Sequence, residues 1–242
     1  VEKVIGFDIW GRYAHYKKIF ATTTALTYPI PVKTAVYGMV GAIIGLEKED
    51  NHYLSYFKPG QCKIGIQIMK PLSFQRINTN LRSVFGRMKE SDNRKPTLVE
   101  YVKNPRYRIY ITHRDTFIMD EIRMRLQEKE CIFTPTLGLA NLLANFSMVG
   151  EWDIKLELHQ EPVQIHSVIP RRTLIKLNPD KAFSAGNYIF EVSEYALEMN
   201  EKREVTDRDD IILDQKGLPI HAQVREYIPI SHEGTIQHIV LF

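Results

Sequence analysis

The stretch KTAVYGMVGAIIGL, residues 33–46, limits the fold more than any other part of the chain. Val36, Val40, Ile43 and Ile44 recur at helical spacing and form an apolar stripe. Gly38, Gly41, Ala42 and Gly45 recur at i, i+3, i+4 and i+7 and form a second face of small residues. Glycine in a helix costs about 1 kcal/mol relative to alanine. Three glycines on one face therefore imply that another backbone comes close. Packing against the domain's own sheet is the expected cause, ahead of a partner chain. Pro29 and Pro31 force an extended entry, because the residue before a proline is pushed out of the α region.

Strands to flank this helix are legible. Lys3–Ile9 reads as a β-branched strand and Thr22–Tyr28 as a short extended piece. Gln61–Met69 and Tyr107–Thr112 alternate as strands do. Asp115 is placed to cap a helix from Thr116 to Glu130, with Ile118, Ile122 and Leu126 on one face. After Pro135, LGLANLLANFSMVG reads as a short helix running into a strand that takes in Glu151–Leu158. The order β, α, β, β, α, β is that of the split βαβ, or ferredoxin-like (RRM-like), unit. The expected class is therefore α+β, with a βαββαβ domain over residues 1–159. A polar, basic insertion sits in it at about 76–104, and Ser91–Pro96, SDNRKP, is a loop by composition.

From about residue 160 the pattern changes. His166–Pro170, Tyr188–Ser193, Ile211–Leu213, His221–Ile228 and Ile236–Phe242 are strand-like. Turn signals separate them at Asn178-Pro179, Ala185-Gly186-Asn187, Lys216-Gly217 and Glu233-Gly234. This predicts a smaller antiparallel β domain over residues 160–242, with the charged run Glu194–Asp210 in solvent.

The net charge is +3, but it is unevenly spread. Residues 1–125 hold 21 basic and 11 acidic side chains, a net of +10, whereas residues 126–242 hold 11 and 18, a net of −7. The first half is a candidate polyanion binder and the second is not. A solvated lysine-rich face would give the same count.

The stretch GRYAHYKKIF, residues 11–20, concentrates that charge with aromatic rings. Two chemistries fit it. Metal-independent RNA cleavage needs a base for the 2′-hydroxyl, a cation for the developing phosphorane and an acid for the leaving 5′-oxygen. Tyr13, His15 and Lys17, or Lys18 in its place, form one such set. Gripping RNA asks less. Arginine and lysine hold phosphates while tyrosine faces stack on unpaired bases, and Arg12, Tyr13, His15, Lys17 and Lys18 suffice. A third possibility puts Tyr13 and Tyr16 in the core and leaves only a solvated lysine pair. A second basic cluster, Arg76, Arg82, Arg87, Lys89, Arg94 and Lys95, lies in the insertion, where it could close over a bound strand like a thumb. Arg106 and Arg108 are placed to continue it.

Other templates are absent. There is no GxxxxGK[ST], HExxH or GxSxG, and no metal-spaced His/Cys cluster. His159 and His166 flank Pro162 without a set of carboxylate partners and read as ordinary histidines. Cys62 and Cys131 are far apart, which argues against a disulfide framework or a zinc site and makes a reducing cytoplasm the default location. No cofactor or metal is expected. The longest nearly apolar run, Ala35–Leu46, has 12 residues, short of the roughly 20 that span a bilayer. The opening VEKVIGF is too acidic for a signal peptide, so neither leader nor membrane association is expected.

Four segments in order carry a family likeness: FDIWGRYAHYKKIFATTTALTYPIPVKTAVYGMVGAIIGL, TLVEYVKNPRYRIYI, FTPTLGLANLLANFSMVGEWD and IHSVIPRR. Over nearly its whole length the chain resembles the Cas-five family of CRISPR-associated RAMP proteins, in the form found in type I-B systems. The resemblance implies a ferredoxin-like domain with a thumb-like insertion and a smaller β-rich C-terminal domain. It implies an RNA-binding subunit of a type I Cascade-like complex in antiviral defence, capping the 5′ repeat-derived handle of crRNA. Its implied partners are the crRNA and the Cascade backbone and large subunits, with target DNA reached only indirectly. Base pairing by the guide would read sequence, and this chain would hold RNA backbone and splayed bases. In the type I-C branch the family member is itself a metal-independent endoribonuclease that processes precursor crRNA. That branch uses Tyr, His and Lys, with the Lys and His in the basic loop. Here Tyr53–Thr112 contains no histidine, so Lys95 lacks that companion. The resemblance therefore implies gripping without cutting, and His15 keeps the nuclease alternative open.

Overall fold

The computed structural model of the chain describes residues 2–18, 24–82, 94–157 and 161–242. Strand β1, Lys3–Trp10, is followed by four two-residue strands: β2, Tyr13–Ala14; β3, Tyr16–Lys17; β4, Thr24–Ala25; and β5, Thr27–Tyr28. Helix α1 is Lys33–Ile44, and β6 is Cys62–Ile68. Strands β7, Phe74–Arg82, and β8, Arg94–Lys103, precede β9, Arg106–His113. Helix α2, Thr116–Glu128, leads to β10, Asn145–Asp153. The rest comprises β11, Val163–Ile165; β12, Ile169–Pro170; β13, Leu174–Leu177; and the short helix α3, Pro179–Ser184. It ends with β14, Ile189–Met199; β15, Val205–Asp214; β16, Ile220–Val224; β17, Ile228–His232; and β18, Thr235–Ile239.

The central sheet has the order β10-β1-β9-β6, with every neighbouring pair antiparallel. Alternation along each strand decides what faces what. Ile5, Phe7 and Ile9 of β1, with Tyr107, Ile109 and Ile111 of β9, bury one face against Val36, Val40 and Ile43 of α1 and Ile118, Ile122 and Leu126 of α2. Each such side chain contributes roughly 1.5–3 kcal/mol by leaving water. Val4 and Tyr110 turn to the other face and pack with Ile228, Ile230, Ile239 and Leu241. Asp115 caps α2 by accepting from the Phe117 amide at 2.9 Å. Two tyrosines secure the extended entry to α1, since the Tyr107 hydroxyl donates to the Pro29 carbonyl at 2.6 Å and that of Tyr195 to Pro31 at 2.7 Å.

Several sequence expectations give way. The glycine face of α1 does not meet the sheet, because Cβ atoms at Gly38 and Gly41 would lie 3.9 and 3.7 Å from Tyr53. The close backbone is instead the segment after α2. The Ile132 and Phe133 amides donate to the Ile43 and Ala42 carbonyls at 3.1 and 2.9 Å, satisfying acceptors that the helix end leaves open. Gly45, at φ 87°, leaves room there, for its Cβ would stand 2.8 Å from Ile132.

Leu137–Leu143 is not a helix. A Thr136–Leu143 bridge and a 2.7 Å bond from the Leu137 amide to the Leu142 carbonyl close it into a turn, with Gly138 at φ 103°. The basic insertion is largely strand: β7 and β8 pair from Phe74↔Val102 to Arg82↔Arg94, so Arg94–Pro96 lies in a ladder and not a loop. Glu194–Asp210 is solvated only in part: Glu194, Glu201–Glu204 and Thr206 are exposed and nothing in 199–210 is buried. It belongs to the β14–β15 hairpin, where Tyr195, Leu197 and Glu198 are buried.

The C-terminal strands form two sheets, ordered β13-β16-β11-β18-β17 and β12-β15-β14. They are not wholly antiparallel, since β11 and β18 pair in parallel through Ile165 and His238. Val192, Tyr195, Leu197, Ile211 and Leu213 share one apolar cluster with β1, β9 and α1. Ile64 of β6 exchanges two backbone bonds with Phe242, at 2.9 and 2.8 Å. Among the described residues no helix is long and apolar enough to cross a membrane.

Candidate nucleic-acid interface

The basic stretch leaves β1 through Gly11, where a Cβ would stand 2.7 Å from Leu137 and 2.8 Å from the Leu143 carbonyl. It then passes beneath the Leu137–Leu143 turn. The His15 amide donates to the Leu137 carbonyl at 3.0 Å, and the Cβ position of Gly138 is 1.9 Å from the His15 carbonyl oxygen. Only glycines allow these two backbones to touch. On its flanks β2 pairs with β8 and β3 with β5, so the stretch is held on several sides.

This anchoring sorts the predicted residues. Arg12 and Lys17 are exposed. The Arg12 guanidinium carbon is 5.8 Å from the Tyr13 ring centre. Tyr13 is half-buried, donates its hydroxyl to Gln75 at 3.0 Å and packs its ring 5.6 Å from Tyr101. His15 is only 3% exposed. Its Nδ1 lies 2.7 Å from the Glu100 carbonyl, which can only accept, so Nδ1 carries the proton and Nε2 is left as the basic nitrogen. Tyr16 is a core residue, and burial pushes its hydroxyl pKa far up. The Lys18 ammonium lies 5.5 Å from the Tyr28 ring centre.

In the hairpin, Arg76 is exposed and donates to Glu100 at 3.0 Å. Arg82 and Arg94 are register partners, as are Leu81 and Lys95 along the same ladder. Arg87 and Lys89 lie outside the described residues. Arg106 and Arg108 do not extend the basic cluster, because both clamp the buried Asp8, at 2.8 and 2.7 Å.

Two concavities flank the stretch. A cleft of about 820 Å³ is lined by His15, Lys17, the small residues of α1 and the Phe133–Leu139 segment. A groove of about 800 Å³ is lined by Lys18, the start of β7 and the start of β14. Exposed aromatic residues in that groove, Phe74 and Tyr188, were not singled out from sequence; single aromatics beside turns give no pattern to find.

Ion pairing distinguishes the cations. Lys33 meets Glu198 at 2.8 Å, Lys63 meets Glu226 at 3.6 Å and Lys58 meets Glu201 at 4.0 Å. Arg123 meets Glu151 at 2.5 Å and also pairs with Asp120. Acids of the second half thus neutralise part of the first half's charge. Among the described residues no carboxylate lies within ion-pair distance of Arg12, Lys17 or Lys18. Nor does any group of three His, Cys, Asp or Glu side chains among them form a metal-binding cluster.

The family model described as CRISPR-associated protein (Cas_Cas5) matches residues 4–234. No curated protein matches the sequence. The fold is similar to a chain of a CRISPR RNA-guided surveillance complex, with TM-score 0.51 and 11% identity over 89% of this chain and 91% of that one. It is also similar to a chain of the Type III-B Cmr-beta complex bound to cognate target RNA and AMPPnP, with TM-score 0.50 and 13% identity over 91% and 86%. At such identities the likeness is one of fold. The family match, by contrast, spans nearly the whole sequence, and this chain belongs to the CRISPR-associated Cas5 family.

Proposed function

We propose that this chain is the crRNA-binding subunit of a type I Cascade-like effector complex, I-B-like in form, and caps the 5′ repeat-derived handle. The observation that carries this reading is the pairing pattern. Arg12, Lys17 and Lys18 are the cations of one short, firmly anchored segment, and among the described residues none has a carboxylate partner. Unneutralised charge beside a tyrosine ring is what single-stranded RNA requires. The sheet order β10-β1-β9-β6, with α1 and α2 on one face, supports the ferredoxin-like RAMP arrangement. The β7–β8 hairpin then serves as the thumb, and it is the element we assign to contact with the neighbouring backbone subunit. The solved complexes similar in fold are RNA-guided or RNA-bound assemblies, which agrees with this role. If an Arg12/Lys17/Lys18 triple-alanine variant assembles crRNA-loaded complexes as well as the wild type, handle capping by this segment is wrong.

The endoribonuclease alternative rests on Tyr13, His15 and Lys17. Against it, the His15 ring is buried and the Tyr13 hydroxyl is engaged by Gln75. Purified protein incubated with repeat RNA in EDTA is expected to leave it intact. A specific cut ending in a 2′,3′-cyclic phosphate would reverse the assignment.

A further inference from the structure

Glu100 stands where the thumb hairpin meets the capping segment. On β8 it is the register partner of Arg76 on β7. The other edge of β8 carries β4 at Leu98–Val99 and β2 at Val102–Lys103, so Glu100 and Tyr101 fall in the gap between two short ladders. A gap in a ladder leaves donors that something else must satisfy. Tyr101 fills part of it with a buried ring, whose centre lies 5.6 Å from that of Tyr13 and 5.7 Å from that of His15. Glu100 supplies the acceptors. Its carbonyl takes the His15 Nδ1 proton at 2.7 Å, and its Oε1 takes the Thr27 amide at 3.4 Å. Its Oε2 accepts from Arg76 Nε at 3.0 Å.

Thr27 passes this hold to the capping cations. It is the register partner of Lys17 in the β3–β5 ribbon. Its buried hydroxyl accepts from the Tyr16 amide and donates to the Tyr28 carbonyl, both at 2.8 Å. Lys18 is tied to the same ribbon by its amide, which donates to the Leu26 carbonyl at 2.9 Å. The backbone that carries Lys17 and Lys18 thus follows Thr27, and Thr27 follows Glu100. The Glu100 side chain is 13% exposed and that of Arg76 60% exposed. An ion pair so open to water contributes little by itself; its effect is to aim the carboxylate.

The charge of Glu100 does not serve a polyanion, because the field of a carboxylate beside the capping cations opposes RNA. We infer that Glu100 is a positioning residue for RNA binding. It touches no RNA, and it seats the Lys17–Lys18 ribbon on the thumb hairpin through Thr27 and His15. The inference rests on the RNA-binding role proposed above and adds to it a residue of the opposite charge.

The test measures the affinity of the full chain for fluorescent repeat RNA. Charge alone predicts that losing this carboxylate tightens binding. Positioning predicts the reverse, and Glu100→Ala should weaken binding about tenfold. Glu100→Gln loses the same charge but keeps an oxygen within reach of the Thr27 amide, and it should bind close to wild type. Glu100→Asp keeps the charge but withdraws the oxygen by one methylene, and it should fall with the alanine variant. The Gln and Asp pair carries the test if the alanine variant does not fold. Added to Lys17→Ala/Lys18→Ala, Glu100→Ala should cost little more; added to Arg12→Ala, which lies outside the ribbon, it should cost its full effect. A general loss of stability would weaken both backgrounds alike. Equal losses in the Gln and Ala variants, or binding by Glu100→Ala as tight as wild type or tighter, would overturn the positioning role and leave RNA binding by the capping cations standing. If the Arg12/Lys17/Lys18 triple-alanine variant binds repeat RNA as the wild type does, the RNA-binding role fails and the inference fails with it.

Discussion

Gly138 fixes where the basic segment lies. It adopts φ 103°, and its absent side chain leaves room for the His15 carbonyl, 1.9 Å from where a Cβ would be. An alanine there must be strained and must also push two backbones apart, so Gly138→Ala should cost about 3 kcal/mol or more, measured by urea unfolding. RNA affinity should fall with it even in the fraction that folds, because the segment loses its seat. The glycine was visible in the sequence, but its partner was not: nothing local connects residue 138 to residue 15. The chemistry of Gly11–Lys18 was legible, and the division of labour within it was not, since burial of His15 and Tyr16 depends on the β8 and β5 strands beside them. The two thiols show the same dependence on surroundings. Burial pushes the Cys62 pKa up to about 12, while Cys131 is exposed. At neutral pH iodoacetamide should therefore modify Cys131 in the native chain and reach Cys62 only after unfolding, read by mass spectrometry.

At the scale of elements, local pattern succeeded where each element carries its own period. The strands β1, β6 and β9, the helices α1 and α2 and the Asp115 cap were all legible because alternation, stripe and cap are local signals. The hairpins were not. Arg94–Pro96 looks like a loop until β7 is beside it, and Tyr195–Glu198 looks like part of a solvated run until α1 is beside it. Lys33 of α1 and Glu198 of β14 form that second contact, with side chains 5% and 11% exposed. Removing one partner leaves a buried charge, so Lys33→Met should destabilise by about 3–5 kcal/mol, and Lys33→Met/Glu198→Leu should recover most of it in a double-mutant cycle. A different pair gives the fold a pH response. His166 Nδ1 accepts from the His238 amide at 3.1 Å. Burial, then the nearby His238, lowers the His166 pKa. A histidine whose folded pKa is below its unfolded value, about 6.5, takes its proton first in the unfolded chain. Stability is therefore expected to fall as pH drops below about 6.5 and to keep falling until the folded pKa is passed. His166→Gln should flatten the urea midpoint across that window.

The molecule as a whole distributes charge in a way that its sequence only half reveals. The +10 of residues 1–125 suggested a polyanion binder, yet part of that charge is offset by the acidic second half through Lys33–Glu198, Lys58–Glu201 and Lys63–Glu226. Among the described residues of the first half, Arg12, Lys17 and Lys18 are left without a carboxylate partner, as are Lys48, Lys70, Lys103 and Arg114, but only the first three share one short segment. This predicts that position, and not net charge, sets the salt dependence of RNA binding. For single strands, log K falls with log salt with a slope of about −0.7 per phosphate neutralised. If each of the three cations holds one phosphate, an Arg12/Lys17/Lys18 triple-alanine variant should lose about 2 from the magnitude of that slope. Lys58→Ala/Lys63→Ala removes two like charges whose fields Glu201 and Glu226 already offset. It should leave the slope within error of wild type. Titrations of fluorescent repeat RNA at several salt concentrations would compare the variants directly. Equal losses of slope per charge in the two variants would mean that binding follows the overall field of the first half, and that the Gly11–Lys18 segment has no special place in it.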